Sequence, residues 1–598
     1  IDIVYFNSRE GYLRKIFPLN NWVIISGKIN FYRDKYQISN PDYVTTLNNK
    51  DYVLKNLPKY NLTKGINEKK YRGISEQVIQ NLPHINDWID TKFLNKNKML
   101  NWNEAIKKLH NSDESKNNQS KSFRRIVFDE ICANFLTLSE KRNRIKKIKK
   151  IKKFNEFFYL KILDILPFRL TKGQQFALKE INKDLKSDLR MFRILQGDVG
   201  SGKTIVSLLS IANVIESNYQ CALMAPTEIL ARQHYQGLSK LLKPLGLTPV
   251  LLSGSTKQKA RQDILQGLAD GSCQIAIGTH ALLTDEVRFA DLALAVVDEQ
   301  HRFGVRQRLV LGQKGKNCDV LVMTATPIPR TLAMTAYGDL TVSRLDEKPA
   351  GRQDIETALI SQDRLADVTA RLAAAISNGQ RAYWICPLVE ETDKLDAAAA
   401  EDRHRALTAL LPDANPVLAH GRMKTEQREE AMSAFKDGTS KLLVATTVIE
   451  VGVDVPEASI IIIEHAERFG LAQLHQLRGR VGRGDKQSSC ILMYQPPLSD
   501  TARSRLKIMR QTNDGFVIAE EDLRLRGPGE VLGQRQSGLP EFCLADLAAH
   551  SDLLGLAHQQ AEKILLSSQG LDHPEMEKYV LLLSLFERDS AVQFLNSG

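Results

Sequence analysis

A chain of 598 residues has room for three to four domains, and 43% hydrophobic with 25% charged residues is a globular composition. No apolar run approaches the roughly 18 residues that cross a bilayer, and no secretory leader pattern stands at the start, so the reading expects neither a membrane span nor export. Seven scattered cysteines without a C-x-x-C pair argue against a disulfide framework or a zinc site and for a reducing cytosol.

The net charge of +12 is unevenly placed. Residues 1–192 carry 38 Lys+Arg against 20 Asp+Glu, whereas the remainder is net acidic. A basic first third fits a polyanion partner. The same third is rich in Asn and Ile and has only three alanines, so a compositional bias of the coding sequence explains the lysines equally well.

In chain order, residues 1–45 read as strands separated by turns: Ile3 to Phe6, Trp22 to Ser26, Lys28 to Tyr32 and Tyr36 to Ser39. They are too few to close a small barrel, so the reading is a partial oligonucleotide-binding (OB-type) β wedge. Phe31, Tyr32 and Tyr36 are available for base stacking or for ordinary strand packing. Residues 46–166 read as helical with polar loops. Within them, Glu140 to Lys153 is a basic run with Ile145, Ile148 and Ile151 at every third position. That spacing predicts a helix with one apolar stripe and a basic face, either solvated or against a nucleic-acid backbone.

From about Pro167, apolar strands alternate with helices, the signature of a parallel sheet. Gly197-Asp-Val-Gly-Ser-Gly-Lys-Thr204 reads G-x-x-x-x-G-K-[ST], with an apolar strand before it (Met191 to Leu195) and a helix after it (Ile205 to Ile215). In such a loop Gly197, Gly200 and Gly202 permit a tight fold, and Ser201 and its neighbours turn N–H groups toward phosphate. Lys203 reaches the β/γ-phosphates and Thr204 holds Mg²⁺. Leu292 to Val297 is a buried strand emptying into Asp298-Glu299. In an ATPase Asp298 binds the metal and Glu299 polarises the attacking water. Ala225-Pro-Thr-Glu228 and Gly278-Thr-His280 also sit at strand ends, where ligands of open α/β sheets bind.

A second α/β unit runs to about Pro496, with strands at Ala382 to Cys386, Val417 to Ala419, Lys441 to Ala445 and Ser459 to Ile463, and without a second phosphate loop. It contains Thr446 to Asp454 and Gln476-Leu-Arg-Gly-Arg-Val-Gly-Arg483. Arg480 and Arg483 are permanently charged forks suited to a phosphate across a cleft. Closing that cleft then depends on the γ-phosphate.

These motifs, in this order, resemble a superfamily 2 helicase, and in wording they resemble the RecG family of bacterial branched-DNA translocases over nearly the whole chain. The resemblance implies two RecA-like lobes, at 167–345 and 346–497, after the partial wedge (1–45) and its helical remainder and linker (46–166). A translocation hairpin and helical C-terminal region follow at 498–598. It implies ATP and Mg²⁺ as cofactors, with Gln174 at the adenine beside Phe168, Asp454 at the nucleotide, and Thr227, Thr279 and His280 at DNA. By the same likeness Arg505, Arg526 and Gln536 belong to the translocation motif that this family shares with the transcription-repair coupling factor, and Tyr579 to Phe594 is a closing helix. The expected partner is branched double-stranded DNA, forks and Holliday junctions, met by a cytoplasmic, nucleoid-associated monomer with single-strand-binding protein as an optional companion. A transcription-repair translocase and a non-catalytic DNA-binding protein are the rival readings.

Overall fold

The computed structural model describes residues 1–6, 8–32, 34–50, 53, 60, 62, 66, 68–110, 120–145, 149, 151–298, 311–312, 314–315, 318–325, 341–347, 354–387, 393–446, 455–482, 484, 487–526, 542–546, 549–567 and 577–587. The chain divides into two compact units, 1–133 with 542–545 and 568–598, and 134–541 with 546–567.

The first unit begins with five strands and one helix: β1 (Asp2–Val4), α1 (Glu10–Ile16), β2 (Val23–Ser26), β3 (Ile29–Tyr32), β4 (Lys35–Ser39) and β5 (Tyr43–Thr46). β4 pairs parallel with β1 and antiparallel with β3, while β2 and β5 form a separate antiparallel ribbon. Two expectations need correction. Glu10 to Ile16 is a helix and not a turn; its Glu10–Arg14 pair at 2.7 Å has helical i, i+4 spacing, but no residue in it is buried, so no apolar stripe announced it. β5 also crosses the expected boundary at residue 45.

Helices α2 (Glu68–Gln80), α3 (Thr91–Lys96), α4 (Trp102–His110) and α5 (Lys121–Ile145) follow. In their core Arg125, fully buried, forks onto both oxygens of Asp87 at 2.8 and 2.9 Å and reaches Asp129 at 3.1 Å. The indole of Trp88 donates to Asp129 at 2.9 Å. The two carboxyls respond oppositely. Asp87 is held below its ordinary value, because Arg125 and two backbone amides outweigh its desolvation. Asp129, wholly buried, is pushed up to about 6 by desolvation that Arg125 only partly offsets. The next residue of α5, Glu130, accepts the successive backbone N–H groups of Cys543, Leu544 (3.0 Å) and Ala545 (2.7 Å).

The second unit holds two parallel sheets. The first runs β12-β6-β11-β10-β7-β9-β8, where β6 is Phe192–Gly197, β7 Gln220–Met224, β8 Val250–Leu252, β9 Ile275–Gly278, β10 Leu292–Val297, β11 Asp319–Thr324 and β12 Thr341–Leu345. Its helices are α6 (Phe157–Ile165), α7 (Lys172–Leu185), α8 (Lys203–Glu216), α9 (Glu228–Leu242) and α10 (Gln258–Asp270). Both faces are buried, with period-2 alternation from Leu294 onward, after a register shift between Leu292 and Leu294. Along β10, Ala293, Leu294 and Val296 join the cluster containing α8, while Leu292, Ala295 and Val297 join the opposite one.

The second sheet runs β13-β18-β17-β14-β16-β15, with β13 Glu356–Ser361, β14 Arg381–Ile385, β15 Val417–Ala419, β16 Leu442–Ala445, β17 Ala458–Ile463 and β18 Ser489–Tyr494. α11 (Leu365–Ser377), α12 (Asp393–Leu410), α13 (Thr425–Asp437) and α14 (Leu471–Arg478) accompany it, and α15 (Asp500–Gln511), α16 (Gly515–Arg526) and α17 (Ser551–Ser567) follow. The last described helix, Glu577–Leu585, belongs to the first unit and contains the start of the expected closing helix, whose residues 588–594 lie outside the described residues. Among the described residues no helix is long and apolar enough to cross a membrane.

The basic run corrects the sequence reading most. α5 ends at Ile145, and Ile151 is exposed. Lys149 and Lys152 are buried, not solvated. Lys149 Nζ donates to both oxygens of Asp319 and to the carbonyl of Asp184, each at 2.8 Å, and Lys152 pairs with the same Asp319. Asp319 also accepts from the Met191 amide at 2.6 Å, so one carboxylate at the foot of β11 ties linker and sheet together. Desolvation pulls the Lys149 ammonium below its ordinary value, against the attraction of Asp319.

Candidate nucleotide and nucleic-acid site

In a parallel sheet the carboxyl ends of all strands share one edge, and the motif residues collect there. β6 ends at Gly197, β10 at Val297, β7 at Met224 and β9 at Gly278. Each therefore delivers its next residues, 198–204, Asp298, 225–228 and Thr279-His280, to the same rim.

The loop after β6 turns through Gly200 and Gly202, both left-handed, at φ 78° and 89°. A Cβ on Gly202 would stand 2.2 Å from the Gln174 amide, and one on Gly197 2.9 Å from Leu345, so neither tolerates a side chain. Lys203 opens α8 and folds back, its ammonium donating to the carbonyls of Gly197 and Asp198, both at 2.8 Å. Neutral carbonyls are weaker acceptors than phosphate oxygens, so a triphosphate outcompetes them for this ammonium. The Ser201 hydroxyl is buried with no hydrogen-bond partner among the described residues. An orphaned donor beside a glycine-lined turn at a helix N-terminus fits a phosphate. Thr204 is exposed on the first turn of α8.

Gln174 is 2% exposed and its amide is engaged at both ends. Its oxygen closes a capping box with the Thr171 amide at 3.0 Å, and its nitrogen donates to the carbonyl of Ser201 at 2.8 Å. In this geometry it braces the phosphate loop. Phe168, its expected companion, is exposed.

Asp298 extends the β7–β10 ladder by donating its amide to Met224 at 2.8 Å, and its Oδ2 meets His234 Nε2 of α9 at 2.7 Å. Thr227 caps α9, accepting from the Leu230 amide at 3.4 Å. The next residue, Glu228, accepts from Ser255, from Ser253 at 3.1 Å and from Arg232 at 2.7 Å, and these bonds, Ser255 first, hold its carboxyl below the ordinary value. Thr279 is buried at the head of a short helical turn and His280 beside it is exposed.

In the second lobe, half-buried Arg480 follows the end of α14, its amide bonded to the Leu477 carbonyl at 3.0 Å. Glu299, Asp454, Arg483 and Gln536 lie outside the described residues. Arg526 is the last residue of α16. Arg505 of α15 donates to the Phe469 carbonyl at 2.9 Å.

Two residues to which the sequence reading gave no role join the lobes. Arg478 is buried and donates to the carbonyls of Met509 at 2.7 Å and Thr512 at 2.9 Å, where α15 ends. It also contacts His475 Nδ1 at 3.2 Å, and burial pulls its guanidinium below the ordinary value. A guanidinium only donates, so Nδ1 accepts and Nε2 carries the proton. That Nε2 is bonded to Asp198 of the phosphate loop. Gly479 lies against Val199 so closely that a Cβ would stand 3.1 Å away. Arg344 of β12 stacks over Phe516 of α16 at 4.9 Å. The i, i+3 spacing of His475 and Arg478 on one helix face was the available signal.

In the first unit, Phe31 and Tyr36 stand edge to face at 5.1 Å across β3–β4, both exposed, as is Tyr32.

The DEAD/DEAH box helicase family model matches residues 171–335, and that of the helicase conserved C-terminal domain matches 365–485. A third, for ATP-dependent DNA helicase RecG, domain 3, C-terminal, matches 512–589. The chain is 42% identical over 586 residues to the ATP-dependent DNA helicase RecG of Synechocystis sp., covering 96% of this chain and 70% of that protein. To the protein of the same description from Haemophilus influenzae it is 41% identical over 581 residues, covering 94% and 83%. Among solved structures, that of RecG bound to a three-way DNA junction superposes with a TM-score of 0.64 at 36% identity, covering 93% of this chain and 73% of that one.

Proposed function

Because this chain belongs to the RecG family of ATP-dependent DNA helicases, we propose that it drives along duplex DNA and remodels branched substrates, stalled forks and Holliday junctions, in recombination and repair. The observation that carries this reading is the meeting of the phosphate loop, through Asp198 and Val199, with the arginine-bearing end of α14.

In this reading Lys203 and the loop amides bind the β/γ-phosphates, and the orphaned Ser201 hydroxyl adds a donor. Thr204 and Asp298 hold Mg²⁺, which when bound neutralises developing charge on the phosphate oxygens. Glu299 orients the attacking water. Arg480 and Arg483 reach the γ-phosphate from the second lobe, and Asp454 contacts the nucleotide. Gln174 holds the loop in register at the adenine end. Thr227, Thr279 and His280 grip DNA on the same rim, so nucleotide and nucleic acid bias one closure. Arg505, Arg526 and Gln536 convert that closure into steps. The N-terminal strands act as the wedge, with Phe31, Tyr32 and Tyr36 as a stacking surface at the branch point. The chain acts as a cytoplasmic, nucleoid-associated monomer, with single-strand-binding protein as a companion on exposed strands.

The test is ATP turnover with no DNA, single strand, linear duplex and a model fork, using Lys203→Ala as control. Turnover highest on the fork is the expected result. Equal stimulation by linear duplex leaves a translocase and removes the branch preference. No turnover on any DNA favours a binding protein without a motor.

A further inference from the structure

The contact between His234 and Asp298 is not accounted for by the phosphate-loop chemistry. His234 is buried on α9, and its Nε2 faces Asp298 Oδ2 at 2.7 Å. A histidine kept only for packing needs no carboxylate partner. Nor does Asp298 need one to finish the sheet, since its own amide already completes the ladder with Met224.

Thr227 caps α9 and His234 is seven residues on, two full turns, so both project from one face of a single rigid helix about 10 Å apart. The head of that helix is clasped by side chains. Glu228 binds Arg232 one turn along, and Ser253 and Ser255 after β8. A displacement at residues 225–228 therefore travels with the whole helix.

We propose that His234 is a positioning residue. Its Nε2–H holds Oδ2 of Asp298 and fixes the orientation of the carboxylate that would bind the cation, and α9 carries the engagement of nucleic acid at Thr227 to that carboxylate. The idea rests on the reading of Asp298 as the metal-binding carboxylate of the ATP site. A partner in this position fixes the orientation and basicity of a ligating group, and losing one costs about 10- to 100-fold in metal affinity or activity.

The experiment compares His234→Gln, whose amide nitrogen reaches nearly as far as Nε2, with His234→Asn, one carbon shorter, and His234→Phe, which fills the space without a donor. Three quantities are measured: equilibrium binding of a fluorescent ATP analogue against Mg²⁺ concentration, the ratio of fork-stimulated to basal turnover, and fork binding without nucleotide. The Asn and Phe variants should need about 10- to 100-fold more Mg²⁺ for the same nucleotide binding and lose fork stimulation by a similar factor. Fork binding should stay within about twofold, and the Gln variant should recover most of both losses. A Mg²⁺ requirement unchanged in the Asn and Phe variants overturns the proposal. So does equal damage in all three variants with lowered melting temperatures, which marks a packing residue. Asp298→Asn separates the two levels. If it turns over ATP normally, the ATP-site reading itself is wrong and the proposal falls with it; if it is dead while His234→Phe is normal, only the proposal falls.

Discussion

In the first motor lobe, the residues assigned to the nucleotide hang from strand ends and are braced from within that lobe: Gln174 on Ser201, the Gly197 and Asp198 carbonyls on Lys203, and His234 on Asp298. In the second lobe the comparable element is a helix end, and its brace comes from outside the sheet. Arg478 is committed to the carbonyls that finish α15. The first lobe thus presents a site that its own sheet has shaped. The second carries a helix end whose orientation depends on the helices after it. Three polar contacts, Asp198–His475, His475–Arg478 and Arg478–Met509/Thr512, connect the phosphate loop to the end of α15.

That asymmetry can be broken from either side. Lys203→Ala and Arg480→Ala should each lower turnover on fork DNA by about 10³-fold, since both are assigned to charge that develops in the transition state. Near-normal turnover in Arg480→Ala would remove the second lobe from the chemistry. Next in size is the buried charge of each lobe. Asp319→Asn leaves Lys149 and Lys152 facing a neutral amide and should destabilise the motor by about 3–5 kcal/mol in urea unfolding. Arg478→Leu leaves two carbonyls and His475 Nδ1 without their donor and should cost about 2–3 kcal/mol. The two should differ in function as well. Residual Asp319→Asn protein should keep its ratio of steps to ATP hydrolysed, whereas Arg478→Leu should hydrolyse without stepping; equal coupling in both would erase the distinction. The smallest effect is expected for His475→Phe, about 1 kcal/mol of stability, read chiefly as weaker dependence of turnover on fork DNA.

How much of this was legible beforehand depends on the range of the interactions. Leu292–Val297 and Val417–Ala419 emerge where the apolar runs place them, and the phosphate loop falls between strand and helix, because those signals are local. β13 and β18 were missed. β13 is an edge strand with no buried residue and is not a continuous apolar run, whereas β18 carries one in Cys490 to Tyr494 that the sequence reading passed over. Lys149 and Lys152 were read as solvent-facing because lysine usually is; their partner Asp319 lies 170 and 167 residues away and no window contains both. Thr171-x-x-Gln174 has the spacing of a capping box in the sequence, and the structure forms that box. Arg478 stands inside the Gln476–Arg483 motif and His475 directly before it, both without a role in the sequence reading, since what they hold becomes visible only when the lobes meet.

Glu130 carries a consequence for how the chain is made. Its buried carboxylate accepts hydrogen bonds from three amides that lie 413 to 415 residues downstream. At the 5–20 residues per second of synthesis, roughly 20 to 80 seconds pass between the emergence of α5 and that of its partners. The unit that contains α5 is therefore completed long after α5 itself has emerged. A fragment ending at residue 133 keeps the acid and lacks the amides.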